Sequence, residues 1–284
     1  MLIEYGSVFI TLAVVLGLYM TWGIGANDVA NALGTSVGSG AISIKQAIII
    51  AAIFEFSGAF IAGGNVTKTI RKGIIDPTPI LGNPEILVWG MLSSLLAAAL
   101  WLTVASWMGW PVSTTHSIIG AIVGFAMVGI GVDAVNWSKI GTIVISWVVS
   151  PMVGGTFSFL IMRSIQRFIL DTDRPFRNAQ RYAPLYIFFV GFLISLVTLF
   201  KGLKHLEIEL NIPQSFLVAL AFGSIIALIG RFLIDRLRMK EAESVHDQFT
   251  QIEKIFGVMM LFTACAMAFA HGSNDVANGI GPMA

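Results

Sequence analysis

Residues 25–34 read GANDVANALG and residues 272–281 read GSNDVANGIG, a match at seven of ten positions across an offset of 247 residues. Each copy sets an aspartate, Asp28 or Asp275, at the end of an apolar run and flanks it with amides: Asn27 and Asn31 in the first, Asn274 and Asn278 in the second. A carboxylate in hydrocarbon costs about 2.5–3.5 kcal/mol on insertion scales unless it is paired or solvated, which makes both aspartates functional candidates. Carboxylate, amide and backbone carbonyl oxygens are hard ligands suited to Na⁺ or a proton. The N-termini of interrupted helices suit an anion. Glycines around both copies (Gly25, Gly34, Gly272, Gly281) allow the backbone to leave helical geometry and present such groups, so a cation and an anion can share one site. On this reading Asp28 and Asp275 are the candidate Na⁺ ligands.

A second constellation is PVSTTH, residues 111–116. Pro111 breaks a long uncharged run, and Ser113, Thr114 and Thr115 offer hydroxyls where a new helix begins, a natural place for anion oxygens. Alone this is also what an ordinary helix cap looks like. Glu55 lies mid-way along an apolar segment, where a carboxyl stays protonated or pairs with a cation, and it is the coupling candidate. His116 reads more readily as a hydrogen-bonded structural residue than as a proton carrier, Lys45 as a snorkelling or capping residue, and Cys265 as packing.

The elements that must position these groups follow from composition. With 56% hydrophobic and 12% charged residues and a mean hydropathy of +0.84, the chain is too apolar for a soluble domain, where the charged share is about 25%. The net charge of +1 gives no ground for a nucleic-acid partner. No nucleophile–base pair, metal cluster or nucleotide loop speaks for an enzyme. Stretches free of Asp, Glu, Lys and Arg separate Glu4 from Asp28, Lys139 from Arg163, Arg181 from Lys201, Glu209 from Arg231 and Lys254 from Asp275. Each holds one helix of about 20 residues. The run between Glu85 and Asp133 holds two, and residues 46–64 form another, giving eight candidate spans. The expected fold is an all-α polytopic membrane protein. Its inverted repeats carry broken helices or re-entrant segments, a construction that many secondary transporters use to build one midplane site from two halves.

Basic residues set the orientation. Residues 163–181 and 231–254 carry five Arg or Lys each and are expected in the cytoplasm, which places the amino terminus outside and runs the two decapeptides in opposite directions. The loop 65–85, with Lys68, Arg71 and Lys72, would then be external, against the rule; parity would flip if PVSTTH opened a re-entrant loop.

The segments 25–47, 54–76, 111–124 and 271–282 resemble the inorganic phosphate transporter family, whose hallmark is the duplicated G-x-N-D-V-A-N. The resemblance covers most of 20–165 and again 250–284. It implies a secondary transporter that carries phosphate inward by symport with Na⁺ or H⁺, with no other cofactor. By position it places Asn27, Asp28, Asn31, Asn274, Asp275 and Asn278 in the ion and phosphate site, matches Ser113, Thr114 and Thr115 to the family's hydroxyl motif, and matches Glu55 to a carboxylate important for transport. The expected layout is a first repeat over 1–165, a connecting region over 166–250 with spans at 184–200 and 214–234, and the start of a second repeat over 251–284. The family's second PVSTTH-like segment would fall beyond Ala284, so the expectation is a fragment of a chain of about 400 residues if the halves mirror each other. Expected partners are inorganic phosphate and the lipid bilayer of a plasma or inner membrane, crossed several times, with a homodimer left open. Hydroxyls and helix dipoles do not choose between phosphate and sulfate. A channel or a receptor remain rival classes.

Overall fold

The computed structural model describes residues 5–64, 73–75, 83–202, 210–237 and 245–283. Lys68, Arg71 and Lys72 of the 65–85 loop, and Arg238 and Lys240 of the 231–254 basic stretch, lie outside them. Eight α-helices account for most of the described residues: α1 Gly6–Gly38, α2 Ile44–Ala62, α3 Pro84–Met108, α4 Thr114–Gly129, α5 Trp137–Ile165, α6 Pro175–Val197, α7 Ile212–Asp235 and α8 Val245–Ile280. Among the described residues no β-strand occurs beyond an isolated bridge between Ile75 and Val135. Every uncharged stretch of the sequence holds a helix, but among the described residues seven rather than eight are long and apolar enough to cross a membrane. The exception is α4, whose 16 residues span about 24 Å against about 30 Å of hydrocarbon.

The interruption also lies elsewhere than at the decapeptides. The first lies inside the 33 residues of α1, and the second runs as the last nine residues of the 36-residue α8, with Gly281 opening a 3-10 turn. In the second copy glycine serves close packing, Gly272 against the Glu55 backbone and Gly279 against Thr21, whereas a Cβ on Gly25 or Gly34 of the first would meet nothing within 4 Å. Without aqueous solvent the helices associate through surface fit, and small residues allow backbones to approach. The true break is at 109–113. Gly109 closes α3 in the left-handed conformation (φ 70°), its N–H returning to Ser106, and Ser113 then caps α4 by accepting from the His116 backbone N–H at 3.3 Å.

The chain forms two compact units. The first comprises Met1–Ala32, Glu55–Val144 and His271–Ala284. Its core joins Met20 and Ile24 of α1, Leu95 and Leu102 of α3, Ile118 and Ile122 of α4 and Ala277 of α8. Within it α1 and α8 are antiparallel: Gly17 lies against Met283, Gly279 against Thr21, and His271 beside Asp28, so one helix descends as the other climbs. Helices α3 and α4 form a hairpin in which Phe125 packs over Gly90.

The second unit comprises Leu33–Phe54 and Ile145–Ala270. Helices α6 and α7 pair antiparallel through Gly191 on Ile226, Gly223 on Phe188 and Gly230 on Ile187. A core of Ile169, Ala179, Ala183, Ile234, Ile252 and Ile255 gathers the end of α5, the start of α6, the end of α7 and the start of α8. The arginines of 163–181 and of 231–236 therefore share one end of this unit.

Candidate functional site

The site lies wholly in the first unit, where α1, α2, α4 and α8 each contribute. Asp28 is buried on α1, and its Oδ2 accepts a hydrogen bond from the Thr114 hydroxyl at 2.6 Å. Thr114 is the first residue of α4, held there by the Ser113 cap. One helical turn of α8 supplies three more groups. Asn278, 1% exposed, donates through Nδ2 to Thr114 Oγ1 at 3.2 Å, Thr115 Oγ1 at 3.0 Å and Asp275 Oδ1 at 3.1 Å. Asn274 donates to the same Asp275 Oδ1 at 3.0 Å.

The remaining carboxylate oxygen, Asp275 Oδ2, faces His271 Nε2 at 2.6 Å. That nitrogen is 3.7 Å from Asp28 Oδ2, while His271 Nδ1 meets Glu55 Oε1 of α2 at 3.0 Å. One imidazole thus links three carboxyl groups. With all three ionised and the imidazole protonated, the cluster still carries a formal excess of two negative charges. Asp28, His271 and Asp275 each place a donor atom within 4.8 Å of the other two, a spacing that suits a small cation. Close approach is what brings Glu55 into range: a Cβ on Gly272 would run into the Glu55 backbone, which has no freedom to retreat.

Asp28, Asp275, Thr114, Thr115, Asn274, Asn278 and Glu55 therefore meet in one hydrogen-bonded cluster. Asn27 adjoins it, donating from Nδ2 to the Trp110 carbonyl at 3.0 Å and so tying α1 to the turn between α3 and α4. Two candidates stand apart. Asn31 is exposed and donates to Asn27 Oδ1 at 3.3 Å, and Ser113 accepts from the His116 amide as a cap. The histidine that joins the cluster is His271, which sequence reading passed over; His116 is exposed on α4. The signal was present, because His271 and Asp275 are four residues apart on one helix and share a face. The two copies also differ here, since the residue before the first decapeptide is Ile24.

Comparison with known proteins bears on what this cluster serves. The model of the phosphate transporter family matches residues 24–284. The chain belongs to the phosphate transporter family. Members similar to it include a Haemophilus influenzae protein described as a phosphate permease, 50% identical over 99% of this chain and 66% of its own length. The chloroplastic inorganic phosphate transporter 2-1 of Arabidopsis thaliana is 41% identical over 94% of this chain and 48% of its own. A solved structure of a sodium-dependent phosphate transporter superposes with a TM-score of 0.87 at 38% identity, covering 98% of this chain and 66% of that one. The chain spans just under two thirds of the length of the first of these relatives. Family membership and seven apolar helices make it a multi-pass membrane protein of a transporter family, not an enzyme family.

Proposed function

We propose that this chain serves the import of inorganic phosphate across a membrane by symport with Na⁺ or H⁺, through alternating access around the cluster of Asp28, Thr114, Asp275, His271 and Asn278. The observation that carries the reading is the meeting of both decapeptide aspartates at the start of α4: Thr114 donates to Asp28, and Asn278 donates both to Thr114 and to Asp275. The sodium dependence of the similar solved transporter supports Na⁺ as the coupling ion.

The electrostatics supply a reason for coupling. An anion meets three carboxyl groups at this cluster and is repelled until a cation offsets them. Cation binding and phosphate binding then favour each other, and by linkage the effect is reciprocal. The N-terminal amides of α4 and the Thr114 and Thr115 hydroxyls are the groups suited to phosphate oxygens. Asp28 and Asp275, with Glu55 close by through His271, are suited to the cation.

The test is equilibrium binding of labelled phosphate to the purified chain, with Na⁺ or with choline, at constant ionic strength. Na⁺-dependent binding that sulfate displaces only weakly is expected. Binding indifferent to Na⁺ and to pH, or displaced equally by sulfate, would reject the coupling or the substrate respectively.

A further inference from the structure

The second unit holds a cavity of about 810 Å³ that has no part in the cluster above. It opens where the turn after α1, the end of α7 and the first turns of α8 converge, and its size is in the range that accepts a small organic molecule or part of a lipid. Its polar wall contains Ser39, Gln46, Glu253 and Lys254. Gln46 Oε1 is engaged by the Ser43 backbone N–H at 2.8 Å, which leaves its amide group to donate. Glu253 and Lys254 are both exposed and form no salt bridge among the described residues. Ile42, Met260 and Leu261 add apolar lining, Met260 Sδ accepting from the Ser39 hydroxyl at 3.4 Å.

Position adds a second argument. Leu237 and Phe256 line the cavity and also pack on the core that gathers the ends of α5, α6 and α7. The cavity thus opens at the end of the unit that bears Arg163, Arg167, Arg174, Arg177, Arg181, Arg231 and Arg236, a belt of the kind that sits at phospholipid headgroups. A ligand that matches this lining offers a phosphate to Lys254, a cation to Glu253 and a hydrocarbon portion to Ile42, Met260 and Leu261. The lining pairs one positive with one negative side chain, which fits a zwitterionic headgroup better than a purely anionic one.

We propose that this cavity binds a phosphoethanolamine lipid, with its phosphate on Lys254, its ammonium on Glu253 and part of an acyl chain along Ile42, Met260 and Leu261. The ammonium donates hydrogen bonds that a choline group lacks, which separates the two zwitterionic headgroups. The site is independent of the transport reading.

Native mass spectrometry of the purified chain, offered equal amounts of phosphatidylethanolamine, phosphatidylcholine and phosphatidylglycerol with matched acyl chains, tests it. The ethanolamine lipid should be retained about tenfold over the other two, the size of one lost charge-assisted contact. Glu253→Gln should erase that preference, and Lys254→Gln should weaken all three lipids. Gly257→Leu should exclude them, because Gly257 lines the cavity and a Cβ there meets nothing within 4 Å. Unfolding midpoints, expected unchanged, show that each variant is folded; Gln46→Ala, which removes a donor at the rim, gives a further measure should one of the others fail to fold. Equal retention of the three lipids, a preference that survives both Glu253→Gln and Lys254→Gln, or displacement of the lipid by excess inorganic phosphate would each overturn the proposal.

Discussion

At the scale of single residues, the carboxylates differ in what holds them. Asp28 relies on the Thr114 hydroxyl at 2.6 Å, whereas Asp275 is held by two amides and by His271. A hydrogen bond to a charged group contributes about 1.5–3 kcal/mol, so Thr114→Val should weaken Na⁺-dependent phosphate binding by about tenfold or more, and Thr114→Ser should restore most of it. Labelled-phosphate titration reads both. Asp275→Asn should abolish the dependence on Na⁺ while the protein stays folded; an unchanged sodium response would remove Asp275 from the cation site. Both aspartates and the hydroxyl motif were legible from residue type, because a charge in an apolar run demands compensation wherever it lies. His271 was not, since a lone histidine advertises nothing until its neighbours on the helix face are weighed. The different surroundings of Asn31 and Asn278 were equally hidden, because their sequence contexts are nearly the same.

At the scale of elements, glycine decides how closely α2 and α8 approach. Gly272→Ala should disturb the site and lower the unfolding midpoint, as the new methyl group meets Glu55 backbone and not a pliant side chain. Gly120→Ala, with nothing within 4 Å of the added carbon, should leave it unchanged or slightly raised. Thermal unfolding in detergent followed by light scattering compares the two. The α3–α4 hairpin bears on orientation. Its turn touches Asn27 and Asp28, within α1 and away from its ends, so it turns at the depth of the site. With α1, α2 and α5 as the other spans among the described residues, an odd number of crossings separates the amino terminus from the arginines after α5 when both of its arms cross or neither does. In a Cys265→Ala background, a membrane-impermeant maleimide should therefore label Ser7→Cys on intact cells and Arg177→Cys only after lysis. Protection of Ser7→Cys would mean that just one arm crosses. Apolar run length predicted all eight helices but not that α4 is short, because a charge-free stretch does not state where its turn falls.

At the scale of the whole molecule, the repeat is the organising feature. The antiparallel course of α1 and α8 agrees with the opposed directions read from the basic loops. It also provides what alternating access requires, two related elements meeting at one site. If the proposed symport holds, cells that lack other phosphate uptake should accumulate labelled phosphate against its gradient, driven by Na⁺ or H⁺, when supplied with the protein. Collapse of both gradients should reduce uptake to the level of cells without it. Flux that only equilibrates phosphate would point to a channel.

Composition and uncharged run lengths determined by themselves that the chain is a helical membrane protein, because hydrocarbon leaves the backbone few other ways to satisfy its hydrogen bonds. The repeated decapeptide picked out Asp28, Asn274, Asp275 and Asn278, which the structure brings into one cluster. Only the tertiary structure decided that Asp28 reaches Thr114 and not Ser113, that His271 bridges Asp275 and Glu55, and that the decapeptides stay helical. These outcomes depend on how closely neighbouring helices pack and in what register, and such distances arise between segments remote in sequence.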